Sequence, residues 1–171
     1  MPELILEPLT AEAFKRFGDV IEARGHAENI NAGTTQKFAD LAKLSLTSGD
    51  GRPALALYRA EPCDPQAPIQ LLERHPLSSQ AFIPMNGARL VIIVAPPQDV
   101  LDPSTIRAFL GTPLQGVNYH PGTWHHPSIT WQQSGWLLVL DREGPEENCD
   151  LAPLDVQPPL TLTVPKATAV T

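Results

Sequence analysis

Apolar residues in this chain come in short runs, punctuated by proline, glycine and small polar residues. Ala39 to Leu46, Ala54 to Tyr58, Ile69 to His75, Gln80 to Ile83 and Leu90 to Val94 read as strands. So do Thr105 to Leu110, Gly116 to His120, Trp124 to Trp131 and Gly135 to Leu140. Between them stand Ser48-Gly49-Asp50-Gly51, Ser78-Ser79, Asn86-Gly87, Pro96-Pro97, Pro121-Gly122 and Ser134-Gly135, residue types that favour turns. Many short strands with regular turn signals predict a sandwich or barrel. The N-terminal stretch adds a strand at Leu4-Ile5-Leu6 and one short helix over Thr10 to Gly18. Thr10 can cap its free N–H groups, Glu12 suits its positive end and Gly18 can take a left-handed closing position. Val20-Ile21 resumes extended structure. The polar stretch Arg24 to Thr35 reads as a long loop, a candidate lid or interface element.

Alternation within the strands then sorts the polar residues. Successive side chains of a strand point to opposite faces, so Leu71, Glu73 and His75 share one face, and Leu72 and Arg74 the other. Gln80, Phe82 and Pro84 likewise point one way. Pro121-Gly122 suits the centre of a type II turn. If that turn closes a tight hairpin, Asn118 and His120 face inward with His125, and Tyr119, Trp124 and His126 face away. Four of the five histidines lie between Ile69 and Pro127. A carboxylate buried among aliphatic side chains is costly without a partner. A divalent metal removes that cost and suits a mixed oxygen and nitrogen set. Glu73, His75, Gln80, His120 and His125 are therefore expected to converge on one apolar interior where a metal could be held.

Composition narrows the partners. A chain of 171 residues suits one domain with a core of its own. The net charge of −7 and scattered Lys and Arg argue against nucleic acid. The longest apolar run, Leu90 to Ala95, is too short to span a bilayer, so no membrane partner is expected. The N-terminus shows no secretory pattern. Cys63 and Cys149 have no CxxC neighbour and read as free thiols of a reducing cytoplasm.

Two motifs carry a family resemblance. Pro121-Gly122-Thr123-Trp124-His125 resembles the second cupin motif, and Glu73-x-His75-x4-Gln80-x6-Gly87 has the spacing of the first. Glu73 replaces its usual first His, and Gln80 its usual Glu. Longer phrases are similar to the ureidoglycolate lyase family: Glu73-Arg74-His75-Pro76, Gln80-Ala81-Phe82-Ile83-Pro84-Met85, Gly116-Val117-Asn118-Tyr119-His120 and Trp124-His125-His126-Pro127. Phe17-Gly18-Asp19-Val20-Ile21 and Asn148-Cys149-Asp150 extend the likeness across about residues 4 to 150.

The resemblance implies a jelly-roll cupin barrel, mainly β, that cleaves (S)-ureidoglycolate to glyoxylate and urea during allantoin degradation. It also implies a homodimer and a nickel cofactor. The expected organisation is a single cupin-like domain over 1–171: an N-terminal strand, helix and loop over 1–38, a barrel over 39–150 and a Pro-rich extension over 151–171. His120 is the first candidate for proton transfer, because histidine titrates near neutral pH. Tyr119 is the second. Arg59 and Arg107 are candidates for the substrate carboxylate. Asn31 and Asn118 are candidates for the ureido group, Asn31 from its own subunit or a partner. Two alternatives stand beside the lyase: another metal-dependent cupin enzyme acting on a small hydroxy acid, and a non-catalytic ligand-binding module.

Overall fold

The computed structural model describes residues 4–165. The chain opens with strand β1 (Leu4–Pro8), helix α1 (Ala11–Phe14), β2 (Gly18–Ile21), β3 (Glu28–Ile30) and β4 (Thr35–Lys37). The central part holds β5 (Arg52–Ala60), β6 (Leu71–Arg74), β7 (Gln80–Met85), β8 (Leu90–Ala95), β9 (Arg107–Leu110) and β10 (Gly116–Tyr119). The last part holds β11 (Trp124–His125), β12 (Ile129–Thr130), β13 (Gly135–Glu143), β14 (Asp150–Pro153) and β15 (Leu162–Thr163). The protein is mainly β, as the spacing of its turns predicts. No helix among the described residues is long and apolar enough to cross a membrane.

The strands form two large curled sheets. One runs β14-β6-β11-β8-β9-β1-β15, with β12 beside β8; the other runs β2-β10-β7-β13-β5. Strand alternation gives the first sheet two apolar faces. Leu90, Ile92 and Val94 of β8 face the second sheet and pack with Phe14, Phe82, Phe109, Val117, Tyr119, Leu137 and Val139. Val91, Ile93 and Ala95 face the other way, into a cluster with Leu72, Trp124, Leu160 and Leu162. A strand buried on both faces reads as an unbroken apolar run, which is what Leu90 to Ala95 shows.

Several local expectations change. Thr10 caps α1, its hydroxyl accepting from the Ala13 N–H at 3.2 Å. Gly18, however, does not close the helix; it begins β2. A Cβ there would lie 1.9 Å from the Asn118 carbonyl, so glycine is needed for close backbone approach. The expected loop from Arg24 contains a small hairpin, β3 paired with β4. Ala39 to Leu46 forms no strand. Its backbone instead bonds side chains: Lys43 N–H to Asp19 Oδ2 at 3.0 Å and Ser45 N–H to Ser79 Oγ at 2.8 Å. The C-terminal stretch is integrated: β14 pairs with β6, β15 runs parallel to β1, and Leu160 and Leu162 are buried. Residues 166–171 of the expected extension lie outside the described residues.

The turn at Pro121-Gly122 matters most for the site. Gly122 has φ 78°, and the Thr123 N–H reaches the His120 carbonyl at 3.1 Å, so the turn forms. It does not close a hairpin. β10 pairs with β2 and β7, whereas β11 pairs with β6 and β8. The turn carries the chain across from one sheet to the other.

Candidate metal centre

That crossing sets which side chains face the space between the sheets. In β10, Val117 and Tyr119 face it. Asn118 and His120 therefore face away, opposite to the assignment a hairpin would give. Tyr119 is buried and stacks on His125 with ring centroids 4.3 Å apart and planes 16° apart. In β6, Leu72 belongs to the outer cluster and Arg74 lies over the Trp124 ring at 4.7 Å, so Glu73 points inward. Register places His125 directly opposite Glu73.

Three ligand atoms converge there. Glu73, His75 and His125 each offer one, and these lie within 4.8 Å of one another. His125 Nε2 is 3.6 Å from Glu73 Oε1, too long for a hydrogen bond but close enough for electrostatic contact. The imidazole of His125 holds the Glu73 carboxyl below the usual carboxylate range, although burial pushes it up.

The tautomers of the two histidines follow from their backbone partners. His75 Nδ1 lies 2.6 Å from the Asn148 carbonyl, and His125 Nδ1 lies 2.9 Å from the Thr123 carbonyl. A carbonyl only accepts, so Nδ1 donates in each ring, and Nε2 is the nitrogen turned toward Glu73, with a lone pair to offer once it gives up any proton of its own. Both Nε2 atoms are buried without a hydrogen-bond partner, and so is Gln80 Oε1. Buried polar atoms in native proteins are ordinarily paired. Three orphaned polar atoms, two of them beside a carboxylate, fit a cation that is shared among them. A backbone carbonyl on the far nitrogen is the usual support of a metal-binding histidine. Glu73, His75 and His125 thus form a group able to hold a metal ion.

A cavity of about 230 Å³ adjoins the group, lined by His75, Gln80, Asp141 and Asn148 among others. Its size suits a molecule smaller than a typical drug. Asn148 braces one wall: its amide oxygen accepts from the Leu77 N–H at 2.7 Å and its amide nitrogen donates to Ser78 Oγ at 2.8 Å. Sequence reading missed Asn148 as a brace and Asp141 altogether, because both reach the cavity from strands or loops far along the chain.

The remaining candidates lie elsewhere. The Nε2–H of His120 donates to Asp19 Oδ2 at 3.1 Å, and the amide of Asn118 donates to the same oxygen at 3.0 Å. Burial pushes the Asp19 carboxyl up, but donors from Lys43, Asn118 and His120 outweigh it and hold the group below the usual range. Arg59 does share a face with Leu55 and Leu57, but that face is the exposed one. It pairs with Glu61 at 2.6 Å and donates to Ser134. Arg107 forks onto both Glu7 oxygens, at 3.0 and 2.6 Å, and lies over Phe109. Asn31 is exposed at the tip of the β3–β4 hairpin with φ 51°. None of these three has a contact that aims it at the cavity.

Comparison with known proteins gives the family. The family model for ureidoglycolate lyase matches residues 1–161. A ureidoglycolate lyase of Pseudomonas syringae pv. syringae is 46% identical over 151 residues, covering 88% of this chain and 89% of its own. One of Pseudomonas putida (strain GB-1) is 44% identical, covering 88% and 90%. A 3,4-ketoisomerase of Helicobacter canadensis overlays 77% of this chain and 87% of its own at a TM-score of 0.43 and 16% identity, too loose a likeness to extend to chemistry. On the extent and identity of the sequence matches, the chain belongs to the ureidoglycolate lyase family.

Proposed function

We propose that this protein cleaves (S)-ureidoglycolate to glyoxylate and urea, using a divalent metal held by Glu73, His75, His125 and Gln80. The observation that carries the reading is the pair of imidazoles whose buried Nε2 atoms have no partner beside Glu73. The donor set is oxygen and nitrogen, which suits nickel, the metal the family resemblance implies, and equally manganese, iron or zinc. When bound, the metal supplies Lewis-acid polarisation of the substrate's oxygen atoms.

The chain's own residues supply the rest. Ureidoglycolate is a carbinolamine, so cleavage removes the hydroxyl proton, breaks the carbon–nitrogen bond and delivers a proton to the departing nitrogen. Backbone carbonyls of Thr123 and Asn148 fix the two imidazoles. Tyr119 stacks on His125 and, buried, has its hydroxyl pushed well up from its ordinary value, so it stays neutral. It braces the His125 ring. The family resemblance supports a homodimer, in which the exposed hairpin around Asn31 is available to a partner. The free thiols of Cys63 and Cys149 are in keeping with a cytoplasmic enzyme.

The test is to supply purified protein with racemic ureidoglycolate and measure urea and glyoxylate. Equal release of the two, abolished by a chelator and restored by a divalent metal, is expected. Turnover unchanged after complete metal removal rejects the metal role, and no release at all from metal-loaded protein rejects the activity.

A further inference from the structure

The carbinolamine needs a group that takes a proton from oxygen and gives one to nitrogen. His120 is turned away from the cavity and committed to Asp19. The Cys149 thiol lies on the cavity, but burial, Glu73 and Asp150 push it up, which keeps it protonated. Asp141 is different. Leu137 and Val139 of β13 face the space between the sheets, and period-two alternation puts Asp141 on that same face. It lines the cavity together with His75 and Gln80. Among the described residues no cation pairs with it, and its side chain has one partner, the hydroxyl of Tyr58, which donates to Oδ2 at 3.4 Å.

Tyr58 is tied to the metal group by a run of rings. Its ring meets Phe82 edge-on at 6.1 Å, Phe82 meets Tyr119 at 5.8 Å, and Tyr119 stacks on His125 at 4.3 Å. This wall fixes Tyr58, and Tyr58 fixes the carboxylate beside it.

Resting on the lyase reading above, we propose that Asp141 is the proton-transfer residue of this cavity and that Tyr58 is its positioning residue. Asp141 accepts the hydroxyl proton of the substrate. The O–H electrons become the second carbon–oxygen bond of glyoxylate, and the carbon–nitrogen pair leaves with the urea nitrogen. Asp141 then returns the proton to that nitrogen. No water is consumed and no atom changes oxidation state overall. Asp141 lines the cavity with both oxygens uncommitted to any cation among the described residues. Tyr58 holds it in place, and a hydrogen bond of this length in the absence of substrate is common for groups that tighten around a reactant.

The experiment compares wild type, Asp141→Asn, Asp141→Glu and Tyr58→Phe in their metal-loaded form. Asp141→Asn, which keeps the shape, is expected to lower kcat by at least about 100-fold. Its KM should stay within about threefold and its metal content should match wild type, since general acid–base work is spent in the transition state. Asp141→Glu recovers part of kcat. Tyr58→Phe loses roughly tenfold, the worth of one hydrogen bond. Near-normal kcat in Asp141→Asn overturns the proposal, and so does a loss confined to KM or matched by loss of metal. A wild type inert toward ureidoglycolate sinks the lyase reading as well; an active wild type with an active Asp141→Asn sinks this inference alone.

Discussion

Two polar clusters lie on opposite faces of β10, and they differ in how fully their hydrogen bonds are made. On the outer face, Asp19 Oδ2 accepts from Lys43 N–H, the Asn118 amide and His120 Nε2–H at 3.0, 3.0 and 3.1 Å. The Asn118 amide also donates to the Lys43 carbonyl, which leaves one amide oxygen, Asn118 Oδ1, over. On the inner face, His75 Nε2 and His125 Nε2 are orphaned beside Glu73, and Gln80 Oε1 is orphaned on the same cavity as His75. The outer cluster spends its polarity on holding β2, β10 and the 39–46 segment together. The inner one keeps lone pairs unspent, at a cost of about 1–3 kcal/mol for each buried unpaired group. Such a cost persists where a ligand recovers it.

This contrast predicts that substitutions in the two clusters fail differently. His125→Ala removes a ligand and should lower urea release by at least about 100-fold, because the metal's contribution to charge stabilisation is worth several kcal/mol. Release within about threefold of wild type would remove the distinction between the faces. Asp19→Asn should instead cost about 2 kcal/mol of folding stability by urea denaturation, leaving turnover per folded molecule close to wild type. The sign of its pH dependence follows from the lowered Asp19 carboxyl. Its contribution is complete above the unfolded value near 3.9 and is lost as pH falls through the lower folded value. Wild type should therefore lose stability below about pH 4 through this group, a component absent in Asp19→Asn. The smallest effect belongs to His120→Ala, about 1 kcal/mol of stability with turnover near normal. A drop in turnover of about 100-fold there would return proton transfer to His120.

The sequence disclosed the inner cluster better than the outer one, for a physical reason. Glu73 lies in β6 and His75 one residue past its end, so alternation carried over that one residue aligns them, and no later event in the chain reverses that. Asn118, Tyr119 and His120 also alternate, but their facing depends on where the next strand goes. A Pro-Gly turn is equally suited to closing a hairpin or to crossing between sheets, and only the pairing of β11 with β6 and β8 decides it. The segment Ala39 to Leu46 reads as a strand, but it makes a single backbone bond to a neighbour, Ser79 N–H to the Ser45 carbonyl at 2.9 Å, and otherwise bonds side chains. Arg59 shows the same gap: its face was legible, but not which face of β5 meets solvent. Asp141, Asn148 and Asp19 act through contacts 70 or more residues distant from them in sequence or across unrelated strands, which no local pattern records.

The central claim is that Glu73, His75 and His125 hold one divalent ion. Calorimetric titration of metal-stripped protein with nickel tests it most directly, run beside the double variant His75→Ala/His125→Ala. One ion bound tightly per wild-type chain, and none at that site in the double variant, is the predicted result. Equal uptake by both proteins would contradict it.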